Sequence, residues 1–216
     1  MDLKINLRLI AFTLACCIIF IICKTFANNN PETFSKNTFG PYSETKNIYI
    51  SNQFDEPETD LIKEAASEWQ FRTNKIIQLN VKDNVSFDDY GKIKDGNAVF
   101  IYKLNEGDEH LSEIDNAIPN NPAQTLGYYD SRNMFSVPTI FIVPDRIYTY
   151  FILRAVAIHE IGHFLGLKHS ENVDDIMYKH STGRNVEISS GDLIRFCKIY
   201  VCDPGTMHTI SYTHGQ

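Results

Sequence analysis

HEIGHFLGLKH, residues 159–169, sets three histidines, one glutamate and two glycines within eleven positions. His159 and His163 are four apart, so on a helix both imidazoles project from one face about one turn apart. Two such nitrogens can reach one cation at roughly 2.0–2.1 Å, the zinc–imidazole distance. Glu160 points about 100° around the same helix, where its carboxylate misses the cation yet reaches a water beside it. If the helix ran on, His169 would point away from the pair. Gly166 can take the left-handed conformation that ends a helix and turns the chain, swinging His169 back. Three protein ligands with a fourth position open are the mark of a catalytic zinc rather than a structural one. Neutral imidazoles suit zinc better than they suit magnesium or calcium, which prefer oxygen, or the metals that prefer thiolate. His110, His180, His208 and His214 read as surface or loop histidines.

The 216 residues suffice for one substantial domain, and 43% hydrophobic with 22% charged residues indicates a globular chain. The net charge is −7 with both signs scattered, so no basic patch points to a nucleic-acid partner. Lys4 and Arg8 precede an uninterrupted apolar run, Leu9 to Cys23, of 15 residues. That length matches a signal peptide and is short for a bilayer span. Thr25 and Ala27 offer a cleavage site after Ala27. Residues 1–27 are therefore expected to be a signal peptide of a secreted protein. The alternative is an uncleaved anchor with the domain facing outside the cytoplasm, the one case in which membrane contact is expected. Three of the five cysteines lie in the apolar run; Cys197 and Cys202 remain, either as a disulfide or as two packed thiols.

Residues 28–45 are polar, with two prolines and a glycine, and read as a linker or N-terminal arm. Residues 46–203 form the folded domain and 204–216 a tail. Strand patterns occur at 47–51, 76–81, 98–103 and 138–143, with a less regular segment at 125–130. Pro57 suits the start of a helix whose Ile62, Ala65, Ala66 and Trp69 repeat at helical spacing. A long helix is expected from about Asp145 to Leu165. A terminal helix follows Ser189 or Ser190, with Leu193, Phe196, Cys197 and Tyr200 on one face. The order predicts an α+β fold in which helices pack against one mixed, twisted sheet.

The eleven-residue motif resembles that of the metzincin metallopeptidases, H-E-x-x-H-x-x-G-x-x-H followed by a methionine turn. SENVDDIMYKH comes next, with Met177 at the methionine position. Ser170 and the run Asp175-Ile176-Met177-Tyr178 look most like the matrixin branch, the type of the matrix metalloproteinase catalytic domain. The terminal helix and the helix carrying Trp69 are also similar in pattern. The resemblance spans roughly residues 46–203 and is specific over 155–178. It implies a zincin-like fold with a long active-site helix. It further implies one catalytic zinc on His159, His163 and His169, Glu160 as general base and Met177 as a structural floor. The implied activity is that of a secreted zinc-dependent endopeptidase, monomeric, acting on proteins or peptides. The competing reading is a secreted zinc-binding pseudo-protease serving as a decoy, against which Glu160 argues, because a purely structural site has no use for a base there.

Lys179 departs from the family pattern, which usually has proline after Met-Tyr, so the wall of the primed-side pocket is expected to differ. No cysteine-switch motif precedes the domain, and the 18 residues of the arm are too few for a folded pro-domain, so any latency is expected to work otherwise. With His110 the sole histidine between arm and active-site helix, a second, structural zinc is not expected. The acidic stretch NEGDEHLSEID, residues 105–115, can serve calcium or simply be a solvated loop.

Overall fold

The sequence alternates between stiff β-branched runs and two helices with capping signals, and the chain follows that script. The computed structural model describes residues 45–90, 92–93, 95–108, 111, 122–126, 138–180 and 185–208. The apolar N-terminal run, the arm up to residue 44, His110, His214 and parts of the acidic 105–115 stretch lie outside the described residues.

In chain order the elements are β1 (Thr45–Ser51), α1 (Glu56–Arg72), β2 (Gln78–Val85), a one-turn α2 (Phe87–Tyr90) and β3 (Ala98–Lys103). They continue with β4 (Ala123–Leu126), β5 (Thr139–Ile142), α3 (Tyr150–Phe164) and α4 (Ser190–Tyr200). The sheet order is β2-β1-β3-β5-β4, parallel except for β4, which runs antiparallel along one edge. Parallel strands are covered on both faces, and every residue of β3 from Ala98 to Tyr102 is buried. The two-residue period sorts their side chains. Val99 and Ile101 join Ile48, Ile50, Ile140 and Ile142 beneath the long helices. Phe100, Tyr102 and Phe141 face the other way into a smaller aromatic cluster with Tyr90 and Leu104.

α1 begins with a reciprocal cap: Glu58 N–H donates to Asp55 Oδ1 at 2.9 Å, and Asp55 N–H donates to Glu58 Oε2 at 3.0 Å. Pro57 occupies its first turn, where no donor is needed. The fully buried Trp69 ties α1 to α3, its indole N–H donating to the Ile158 carbonyl at 2.9 Å. α4 docks through Leu193, Phe196 and Cys197, with Phe196 tilted against Trp69 at 6.2 Å.

Several element boundaries differ from the sequence reading. The helix expected from about Asp145 starts at Tyr150, because Pro144–Arg146 form a 3-10 turn and Thr149 caps the new helix by accepting from Ile152 N–H. β2 begins at Gln78 rather than at residue 76, since Asn74 and Lys75 take positive φ angles of 50° and 61° to turn the chain out of α1. It then extends to Val85 in register with Ser51. The irregular segment expected at 125–130 is represented by β4, which overlaps it at residues 125 and 126 and starts earlier; 127–130 are outside the described residues. Cys197 and Cys202, left open between thiols and a bridge, are joined as a disulfide across the end of α4.

Candidate active site

α3 carries the first two histidines on its last two turns. The helix then ends as a Schellman motif: Leu167 N–H donates to Gly162 O at 3.0 Å and Gly166 N–H to His163 O at 2.9 Å. Gly166 sits at φ +94°, where a side chain would strain the backbone, and the reversal it makes returns His169 to the pair. The ligand nitrogens of His159, His163 and His169 all lie within 4.8 Å of one another, the only such cluster of metal-binding side chains among the described residues. His163 Nε2 and His169 Nε2 face each other at 3.2 Å. Tetrahedral ligands at a zinc–nitrogen distance of 2.0–2.1 Å stand about 3.3 Å apart. The backbone also selects the tautomers. His159 Nδ1 donates to the Ile176 carbonyl at 2.7 Å and His163 Nδ1 to the Leu167 carbonyl at 2.9 Å, leaving each Nε2 lone pair for a cation. The three imidazoles therefore fit zinc in number, chemistry and spacing. His180 and His208 lie apart from the cluster, packed edge-on to Tyr178 and stacked on Phe71 respectively.

Glu160 is 6% exposed, and its Oε2 accepts from the Thr125 hydroxyl at 2.5 Å. Burial raises its carboxyl above the ordinary range, opposed by the nearby His159 and the Thr125 hydrogen bonds. Burial, reinforced by the charges of His159 and His169, holds His163 well below the ordinary imidazole range, so the metal-free ring is neutral near pH 7.

These directions set an acid response. Between the ordinary imidazole pKa of about 6.5 and the lower folded value, the unfolded chain binds a proton at His163 that the folded chain does not, so acid favours unfolding. Glu160 acts in the opposite sense, because its raised folded pKa stabilises the protonated form and that contribution is lost as pH rises. Measured on metal-free Glu160→Gln protein, where the carboxyl is gone, the urea midpoint should fall on going from pH 8 to pH 5.5. Zinc should leave wild type over the same range, because protons compete for its ligands. Equal midpoints would show that His163 is not held neutral by the fold.

Met177 is fully buried under α3, and Gly162 is the reason it fits. A Cβ at residue 162 would stand 2.4 Å from Met177 Sδ and 3.1 Å from Trp69 Cζ2. The sequence reading missed this glycine; its signal was a residue without a side chain in mid-helix, between two ligands.

Two buried aspartates hold the methionine turn. Asp192, the third residue of α4, accepts from Ser189 N–H to cap its own helix and from Ile176 N–H at 2.9 Å and Met177 N–H at 3.3 Å. Asp175 accepts from the Ser170 and Ser189 hydroxyls, each at 2.5 Å, and from Arg195 Nη1 at 2.7 Å. Burial alone would raise the Asp175 carboxyl, but the two hydroxyls and the Arg195 guanidinium hold it below the usual carboxylate range. Ser170 N–H closes the loop onto the Met177 carbonyl at 2.7 Å. The residue after the third histidine, the methionine and the terminal helix thus form one hydrogen-bonded unit.

Beside the histidines lies a pocket of about 70 Å³. Val156 and Ile176 give it apolar walls, His159 and Glu160 face it, and Lys179 contributes a cationic side chain. The sequence model of the matrixins matches residues 45–201. The chain belongs to the matrixin family.

Among solved structures, this matrixin is similar to metalloproteinase-II from Bacteroides fragilis, with 15% identity and a TM-score of 0.45, over 72% of this chain and 53% of that one. It spans about half the length of that protein. It is also similar to a zinc-dependent peptidase from Methanocorpusculum labreanum, with 12% identity and a TM-score of 0.37, over 69% of this chain and 98% of that one. No curated protein matches the sequence. Lys179, where matrixins usually carry proline, lies in the lining of the pocket beside the histidines.

Proposed function

We propose that this matrixin is an exported, monomeric zinc endopeptidase, with residues 1–27 as its signal peptide. The observation that carries the reading is a buried carboxylate, Glu160, adjoining a three-histidine cluster without belonging to it. His159, His163 and His169 would hold zinc, which when bound supplies a Lewis acid and lowers the pKa of water at the site toward about 7. Glu160 takes the proton of the attacking water and returns it to the departing amine. An extended peptide adds to the exposed side of β4, backbone to backbone, and one side chain enters the pocket beside His159.

Lys179 introduces a positive charge where that side chain enters, in a chain whose net charge is −7. Substrates with an acidic residue after the scissile bond should be favoured for that reason. The test is to incubate the purified protein with a diverse peptide library, with and without chelator, and to map the cuts. Chelator-sensitive internal cleavage, enriched for Asp or Glu after the cut and losing that enrichment in Lys179→Ala, is the expected result. Zinc binding without cleavage of any library member would instead support a binding or decoy module.

A further inference from the structure

We propose that Thr125 is a positioning residue for Glu160, assigning one carboxylate oxygen to the protein and leaving the other for the reacting water. The proposal rests on the function proposed above. Thr125 lies on β4, paired with Ile140 of β5, and strand alternation turns it inward with Ala123. Its hydroxyl is 2.5 Å from Glu160 Oε2 and 3.2 Å from the Glu160 carbonyl. A hydroxyl has one proton to donate, and the shorter, charge-assisted contact takes it. Thr125 is 3% exposed, so water does not readily replace this donor.

A carboxylate on a flexible side chain can rotate and exchange its oxygens, and each wrong orientation removes the base from the reacting water. A donor fixed on a separate element, 35 residues away in sequence, suppresses that rotation without touching the histidines. It also couples the substrate-pairing strand to the base, since the residue that orients Glu160 belongs to the strand on which the peptide would lie.

Thr125→Val keeps the branched shape and the strand preference and removes only the hydroxyl; Thr125→Ser keeps the hydroxyl. Thr125→Val should lower kcat by about tenfold or more, the order expected for a hydrogen bond to a charged group. KM should stay within about twofold and zinc content should be unchanged, as expected of an interaction that matters in the transition state. Thr125→Ser should recover most of the lost kcat. A second readout needs no activity: the folding equilibria of metal-free wild type, Thr125→Val, Glu160→Ala and the double variant form a cycle. A coupling of about tenfold in the equilibrium constant is expected. Additive effects in that cycle, or a Thr125→Ser kcat as low as that of Thr125→Val, would overturn the proposal. A wild type that binds zinc and cleaves nothing refutes the proposed function instead, and the stability cycle separates the two failures.

Discussion

Replacing Glu160 with glutamine should lower kcat/KM by about two to four orders of magnitude, the range a positioned general base contributes, while zinc remains bound. The substitution is close to isosteric, and the glutamine oxygen can still accept from Thr125, so neither β4 nor α3 needs to move. The three ligand nitrogens belong to other residues, so metal content should match wild type. What disappears is the ability to take a proton. Burial raises the Glu160 carboxyl pKa above the ordinary range, so the proposed base holds a proton more firmly than an exposed glutamate would. Steady-state kinetics alongside metal analysis decides the matter. Undiminished turnover with full zinc would remove Glu160 from the mechanism, and loss of zinc would show that the carboxylate supports the metal.

Asp192→Ala should be the most damaging change away from the histidines. The side chain is fully buried and accepts from two backbone N–H groups of the methionine turn, from its own helix cap and from Arg195. Deleting one member of such a buried charged network costs about 3–5 kcal/mol, because the partners keep their desolvation penalty and lose their compensation. Urea denaturation of the metal-free protein should show that loss. The damage should also reach the metal, since the Ile176–Met177 peptide, whose N–H donates to Asp192, presents the Ile176 carbonyl bonded to His159 Nδ1. Removing such outer support typically weakens metal affinity by about 10–100-fold. Asp192→Asn, which keeps an acceptor oxygen, should restore part of both. A loss below about 1 kcal/mol in the alanine variant would mean that the turn is held by its other contacts.

How much of this was legible in the sequence depends on how local each feature is. The histidine spacing, Gly166, Pro57 in the first turn of α1 and the Ser189 cap of α4 are each local features, and helical geometry is enough to read them. The helix start at Tyr150 was misplaced because Pro144 and Asp145 look like a helix opening; a 3-10 turn and the Thr149 cap compete for the same signals. Thr125 could not be found from spacing at all. It reaches Glu160 only because β4 pairs antiparallel with β5 in one particular register, and a shift by one residue would point it outward. Nothing local singles out Asp192, because its bonds to Ile176 and Met177 depend on the methionine turn folding back onto the start of α4. Gly162 likewise has a meaning only once Trp69 and Met177 close on it from different parts of the chain.

The chain has a single tryptophan, and it is this same Trp69, bonded to the Ile158 carbonyl one residue before the first ligand and close against the turn of α3 that carries Gly162. The unlabelled protein therefore contains one indole chromophore sealed into the scaffold of its metal centre. Its emission comes from a single, dry location, so a spectral change upon metal loading, acid release or substitution of Asp192 can be assigned to the floor of the site without an introduced dye.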